Sequence, residues 1–342
     1  MKAFYIPCAL VAILIQFLPL LGAKKIYVYA DFWGPVFNIP ANAHFQGSSQ
    51  IPSTFHLLQP ARNCGFELVR THTLKGLTDA DLIITFDIPI NCIEEIKQYA
   101  PDKLVAFLWE PPSVRPYSYE KKYHALYHKI YTWRDDLVDN IKYFKFHYAV
   151  LQPMISPTVT FNRKSFCTMI CKNKESSHPD ELYNERIATA EWFEHNYPDK
   201  FDLYGLWWDP KKHPSYKGAI EDKIAITSHY KFCICYENIK NISGYVSEKI
   251  FDCFTAGCVP VYWGANNITD FIPETCFIDR RKFASNQELY DFLVTIDENT
   301  YQEYIDAIKI FLSSKEAQKF SIQHLIHTFL DLFSTTFGTT HQ

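Results

Sequence analysis

After residue 24, short apolar runs alternate with helical patterns along nearly the whole chain, and this alternation limits the available folds more than any other feature. "KIYVYADFW" (25–33), "DADLIITFDIP" (79–89), "KLVAFLWE" (103–110) and "KIYTW" (129–133) read as strands separated by helical or irregular segments. Strands joined in this way through crossover connections build parallel sheets. A Pro-bearing stretch, "LQPMISPTVTFNRKS" (151–165), interrupts the series, and the pattern then restarts. "FCTMICKN", "KFDLYGLWW", "KFCICYE" and "CVPVYW" are strands, while "PDELYNERIATAEWFEHN" is a helix with Leu182, Arg186, Ile187, Ala190 and Phe193 on one side. From residue 284 the chain is mainly helical, and "SNQELYDFLVTI" opens on a capping box, Ser285 to Glu288. The expectation is an α/β protein of two lobes, 24–155 and 156–334, with a cleft between them, a hydrophobic segment at 1–23 and a tail at 335–342.

Composition narrows the function. With 47% apolar and 21% charged residues, the chain can bury a sizeable core. A net charge of −4 argues against a nucleic-acid binder, which would carry a basic footprint. Ten cysteines are present, but only Cys167/Cys171 and Cys233/Cys235 are closely spaced, and no histidines complete a zinc pattern. Cys233 and Cys235 alternate with Phe232 and Ile234 on a strand, where cysteine is a small apolar side chain. "DAD" (79–81) and "RDD" (134–136) read as solvated turns rather than metal ligands. At the N-terminus, Lys2 precedes a mostly apolar run closed by Lys24 and Lys25. Its length is near the about 20 residues of an uncleaved anchor. Ala23 suits a cleaved signal peptide, and Leu21 does not. The anchor is favoured, giving a single-pass protein of the Golgi or of a bacterial cell envelope; secretion after cleavage is the alternative.

Residues 235–264, "CYENIKNISGYVSEKIFDCFTAGCVPVYWG", form a compact βαβ unit. Val246, Ile250, Cys253 and Phe254 share one helix face, and Gly257 stands where a glycine ends a helix. The loop before the helix lies at the carboxyl edge of a parallel sheet, where ligands bind in open α/β proteins. A helix N-terminus there is an anion site, and Lys249 in its first turn adds positive charge that a diphosphate would use.

This stretch, with "YKGAIEDKIAITSHYKFCICYEN" (216–238) upstream and "DFIPETCFIDRRKF" (270–283) downstream, resembles the signature of the α1,3-fucosyltransferases, glycosyltransferase family 10. "KIYVYADFWG" (25–34) and "KLVAFLWEPPS" (103–113) are similar to the family's first strand and to the strand carrying its proposed base. The resemblance implies a GT-B fold of two Rossmann-like lobes and inverting transfer of fucose from GDP-fucose to a glycan hydroxyl, α1,3 to a GlcNAc-type residue. It implies that Glu110 is the catalytic carboxylate and that Arg186, Asn238, Tyr245, Glu248 and Lys249 bind the donor, with Glu237 in the same motif. Ser247 stands where the family pattern has Thr, and Lys172-Asn173 replaces Ser-Asn before the arginine.

The residue types suit that chemistry. A carboxylate takes the proton of the attacking hydroxyl, and cations with helix N–H groups stabilise the departing diphosphate. No metal is obligatory on this basis, and a divalent ion is at most stimulatory. The acceptor is an oligosaccharide, glycoprotein or glycolipid. Two alternatives stand beside this: a GT-B transferase of another nucleotide sugar, and an inactive carbohydrate-binding protein on the same scaffold.

Overall fold

The computed structural model describes residues 22–29, 55–157 and 159–338. The hydrophobic run at the N-terminus lies outside these residues apart from Gly22 and Ala23, and the first strand is described as far as Tyr29. Among the described residues, no helix is long and apolar enough to cross a membrane.

Two all-parallel sheets organise the chain, as the alternation requires. The first comprises β1 (Lys24–Tyr29), β2 (Phe66–Thr71), β3 (Leu82–Phe86), β4 (Leu104–Leu108), β5 (Lys129–Thr132) and β6 (Tyr143–Lys145), in the order β2-β1-β3-β4-β5-β6. The second comprises β7 (Ser165–Ile170), β8 (Phe201–Tyr204), β9 (Tyr230–Tyr236), β10 (Val259–Trp263) and β11 (Ile278–Asp279), in the order β11-β10-β9-β7-β8. The longer helices are α1 (Phe55–Asn63), α2 (Tyr183–Asn196), α3 (Glu248–Thr255), α4 (Asn286–Thr295), α5 (Glu298–Leu312) and α6 (Ile322–Phe337).

Strand β4 shows why the sheets read as continuous apolar runs. Val105 and Phe107 face one core while Leu104, Ala106 and Leu108 face another, so both faces are covered. In α2, Arg186, Ala190 and Phe193 are buried as expected, with Tyr183 and Thr189 beside them. Of the expected face of α3, Ile250, Cys253 and Phe254 are buried on the helix, while Val246 is buried in the loop two residues before it starts. Gly257 takes φ +62 after this helix, as a terminating glycine should. At α4, Ser285 Oγ accepts from Glu288 N at 3.1 Å, but the Glu288 carboxylate reaches the N–H of Ala284 at 2.9 Å, one residue before the box pattern places it. The described cysteines are free thiols.

Helix α6 departs from the sequence reading, which grouped it with the second lobe. It lies on the first sheet, where Phe329 stacks on Phe107 at 4.6 Å and Phe333 meets Phe66 at 5.1 Å. The chain end thus ties the lobes together a second time, beside the connection at 151–165.

In the second sheet, β8 and β9 lie on opposite sides of β7, so the strand order reverses between β7 and β9. In the first sheet, the order reverses between β1 and β3. Open α/β sheets bind ligands at such reversal points, outside the carboxyl ends of the strands.

Candidate active site between the lobes

The second lobe's half of the site begins where β9 ends, at Tyr236–Asn238. Glu237 is fully buried and its carboxylate holds the start of α3, accepting from Ser247 N at 3.0 Å and from Ser247 Oγ at 2.7 Å. Ser247 is the N-cap of α3, its Oγ accepting from Lys249 N at 3.4 Å. Glu237 therefore joins strand end to helix start, which explains why an acid sits in this motif.

Lys249 fills the space in front of that cap. Its Nζ lies 3.2 Å from Ser247 Oγ, 3.2 Å from Glu248 Oε1 and 3.3 Å from Glu237 Oε2. Burial disfavours its charge, but Glu248 and Glu237 outweigh that and hold the ammonium above its ordinary pKa. Burial likewise favours protonation of Glu248, yet Lys249 and Lys223 pull its carboxyl down to about 2. Behind them Lys223 pairs with Asp252 at 2.8 Å.

Arg186 reaches this strand end from α2. Its Nη2 donates to the carbonyls of Tyr236 and Glu237, both at 2.7 Å, and to Asn238 Oδ1 at 3.1 Å. That nitrogen is committed to shaping the loop. Asn238 Nδ2 in turn donates to the Tyr245 hydroxyl at 3.4 Å. The structure thus gathers Arg186, Asn238, Tyr245, Glu248 and Lys249 around one helix N-terminus.

The loop between β9 and α3 also touches the first lobe. Tyr245 packs on Trp133 at 4.5 Å, and Ser113 Oγ donates to the carbonyl of Asn238 at 3.3 Å. Asp135 N donates to Ser243 O at 3.2 Å, and Asn267 Nδ2 donates to Asp135 Oδ2 at 2.9 Å. The "RDD" segment is therefore not only a solvated turn, because Asp135 bridges the lobes. Gly244, at φ +88, passes so close that a Cβ would stand 2.2 Å from the Trp133 carbonyl oxygen.

Glu110 completes the site from the first lobe, two residues beyond β4. Burial raises its carboxyl above the ordinary range, opposed by the nearby charges of Lys249 and Lys174 of the second lobe. Nothing hydrogen-bonds that carboxylate among the described residues; only its backbone is engaged. It makes no ion pair with Arg115, whose Nη1 donates to the Tyr117 hydroxyl at 3.2 Å.

Three residues near this centre escaped the sequence reading. Lys174 extends from the end of β7, and burial holds its ammonium below the ordinary range while Glu110 opposes the shift. Tyr183 is buried with its ring 5.0 Å from the Arg186 guanidinium. Asp87 accepts from the backbone N–H groups of Trp109 and Glu110. Their signal was position at a strand's carboxyl edge, or on α2 beside Arg186, rather than any motif. Among the described residues, no group of three or more His, Cys, Asp or Glu side chains could hold a metal ion.

Two parallel-sheet lobes with a cation-bearing helix N-terminus at a reversal point of one, in electrostatic reach of a carboxylate of the other, define a GT-B type protein. Residues 194–326 match the family model described as glycosyltransferase family 10 (fucosyltransferase), C-terminal. The chain is similar to an alpha-(1,4)-fucosyltransferase of Arabidopsis thaliana, 42% identical over 79 residues, which are 22% of this chain and 20% of the relative. It is similar to an alpha-(1,3)-fucosyltransferase of Helicobacter pylori, 35% identical over 75 residues, 22% of this chain and 15% of that one. These matches span a fifth or less of the relatives' lengths. A solved alpha1,3-fucosyltransferase with GDP shares the fold over 95% of this chain and 93% of its own, at TM-score 0.58 and 14% identity. A T4 phage enzyme in complex with its UDP-glucose substrate shares it over 92% of this chain and 99% of its own, at TM-score 0.52 and 12% identity.

Proposed function

We propose that the chain transfers fucose from GDP-fucose to a hydroxyl of a glycan acceptor, α1,3 to a GlcNAc-type residue, with inversion at the anomeric carbon. One observation carries this: the Glu110 carboxyl, raised by burial and without a hydrogen bond among the described residues, lies in electrostatic reach of Lys249 at the α3 N-terminus. In this reading Glu110 is the base and Lys249 marks the leaving-group site on the other lobe. The acceptor oxygen bonds to the anomeric carbon as the bond from that carbon to the phosphate oxygen breaks. The hydroxyl proton passes to Glu110, and the electron pair leaves on GDP.

Lys249, the N–H groups of α3 and Arg186 take up the developing diphosphate charge, so no metal is obligatory and a divalent ion is at most stimulatory. Asn238, Tyr245 and Glu248 form the rest of the donor pocket. The N-terminal segment 1–23 anchors the protein to a membrane in a single pass. Residues 194–326 match the fucosyltransferase family model, and relatives named for α1,3 and for α1,4 transfer both match the chain, which supports the donor, while the linkage rests on the family resemblance.

GDP release from GDP-fucose by the purified protein, without acceptor, tests this proposal. Slow hydrolysis of GDP-fucose with UDP-glucose left intact is expected. Intact GDP-fucose would leave a carbohydrate-binding protein, and preferential turnover of UDP-glucose would leave a transferase of another sugar.

A further inference from the structure

We propose that Asp87 is the positioning residue for Glu110, fixing the backbone from which that carboxylate is presented; this rests on Glu110 acting as the base. Asp87 directly follows β3, at the edge where the first sheet reverses its strand order. It is 4% exposed and stands at φ +59. A non-glycine residue keeps that left-handed conformation only where its surroundings impose it, and such residues cluster at functional sites.

The conformation has an identifiable product. It turns the side chain toward the neighbouring strand, where Oδ1 accepts from Trp109 N at 2.7 Å and from Glu110 N at 3.1 Å. Oδ2 lies 3.3 Å from the same Glu110 nitrogen. The Asp87 N–H donates to the Phe107 carbonyl at 2.7 Å, so residues 107–110 are held to Asp87 from both its backbone and its side chain. The Tyr119 hydroxyl donates to the Glu110 carbonyl at 2.8 Å and fixes the peptide from the other end. Glu110 thus has a fully engaged backbone and, among the described residues, a carboxylate that accepts no hydrogen bond.

Asp87 makes no ion pair among the described residues, and buried carboxylates are normally paired. Its hydrogen bonds go to the two amides that set the direction of Glu110. A residue needed only to close the turn at 87 would be served by glycine.

A double-mutant cycle tests the inference. Asp87→Ala and Asp87→Gly are made in the parent chain and in Glu110→Ala, with kcat, KM for GDP-fucose and GDP affinity measured in each. Asp87→Ala is expected to lower kcat roughly 10- to 100-fold, the scale of a misplaced catalytic group, with GDP affinity unchanged. In the Glu110→Ala background it should cause no further loss, because a residue acting through another has no effect once that other is gone. Added formate should rescue Glu110→Ala with and without Asp87. Glycine takes left-handed φ without strain and has no side-chain acceptor, so the cycle runs on Asp87→Gly should Asp87→Ala fail to fold. An equal loss in both backgrounds, or no loss in either, overturns the positioning role while leaving Glu110 in place. A fully active Glu110→Ala overturns the base assignment and this inference with it.

Discussion

Lys249→Met separates two tasks that the structure gives to one ammonium. The substitution keeps the length and apolar stem of the side chain and removes its charge. Inside the protein, that charge faces the fully buried Glu237 at 3.3 Å and Glu248 at 3.2 Å. Removing one partner of a buried pair costs about 3–5 kcal/mol. Ser247 still donates to Glu237 by its N–H and hydroxyl, so the low end, about 3 kcal/mol, is expected. Toward the ligand, loss of a hydrogen bond to a charged group costs about 2 kcal/mol. That is about 30-fold in the Kd for GDP. Thermal melting with and without GDP, followed by calorimetric titration of GDP into the folded variant, reads both. The expected result is a lower Tm, weaker GDP binding and a smaller GDP-induced gain in Tm, since ligand stabilisation falls as Kd rises. An unchanged Kd in the folded variant would refute the phosphate contact. An unchanged Tm would refute the claim that Lys249 neutralises Glu237.

The pH profile tests Glu110. As the base it must be ionised, and burial raises its pKa, so kcat/KM for transfer should fall as pH drops through a value above the ordinary 4.5 of glutamate; an acidic limb at or below 4.5 contradicts this. Gly244→Ala adds a Cβ 2.2 Å from the Trp133 carbonyl oxygen at φ +88, which should cost about 1–3 kcal/mol in melting experiments and weaken GDP binding by loosening the loop. Arg186→Ala leaves the carbonyls of Tyr236 and Glu237 and the Asn238 Oδ1 without their donor, and a loss of at least about 3 kcal/mol of unfolding free energy is expected by denaturant titration. A near-neutral Arg186→Ala would show that this nitrogen does not shape the loop.

The strands were legible where both faces of a parallel sheet are covered, because the sequence then runs apolar without a break, as in Leu104–Leu108 and Tyr230–Tyr236. Edge strands hid. Phe66–Thr71 is half-exposed along its middle and carries Glu67 and Arg70, and Tyr143–Lys145 is only three residues long. The partner of α6 could not be read because an apolar stripe marks a buried face without saying what covers it. In the site, the motif from Glu237 to Lys249 was legible because loop, cap and cation are consecutive. Asp87, Asp135 and Lys174 were not, because each matters through a residue far along the chain: Asp87 through Glu110, Asp135 through Asn267, and Lys174 through Glu110 in the other lobe. Arg186 was expected at the diphosphate, yet most of what it visibly does is hold backbone oxygens, which no spacing discloses.

The most direct measurement is a transfer assay with GDP-fucose on a glycan array, with the product linkage and anomeric configuration read by NMR. Fucose in α1,3 linkage on GlcNAc-type acceptors is expected, with one GDP released per fucose transferred and that transfer lost in Glu110→Gln while GDP binding is retained. Transfer with retention of configuration, or Glu110→Gln as active as the parent, would contradict this.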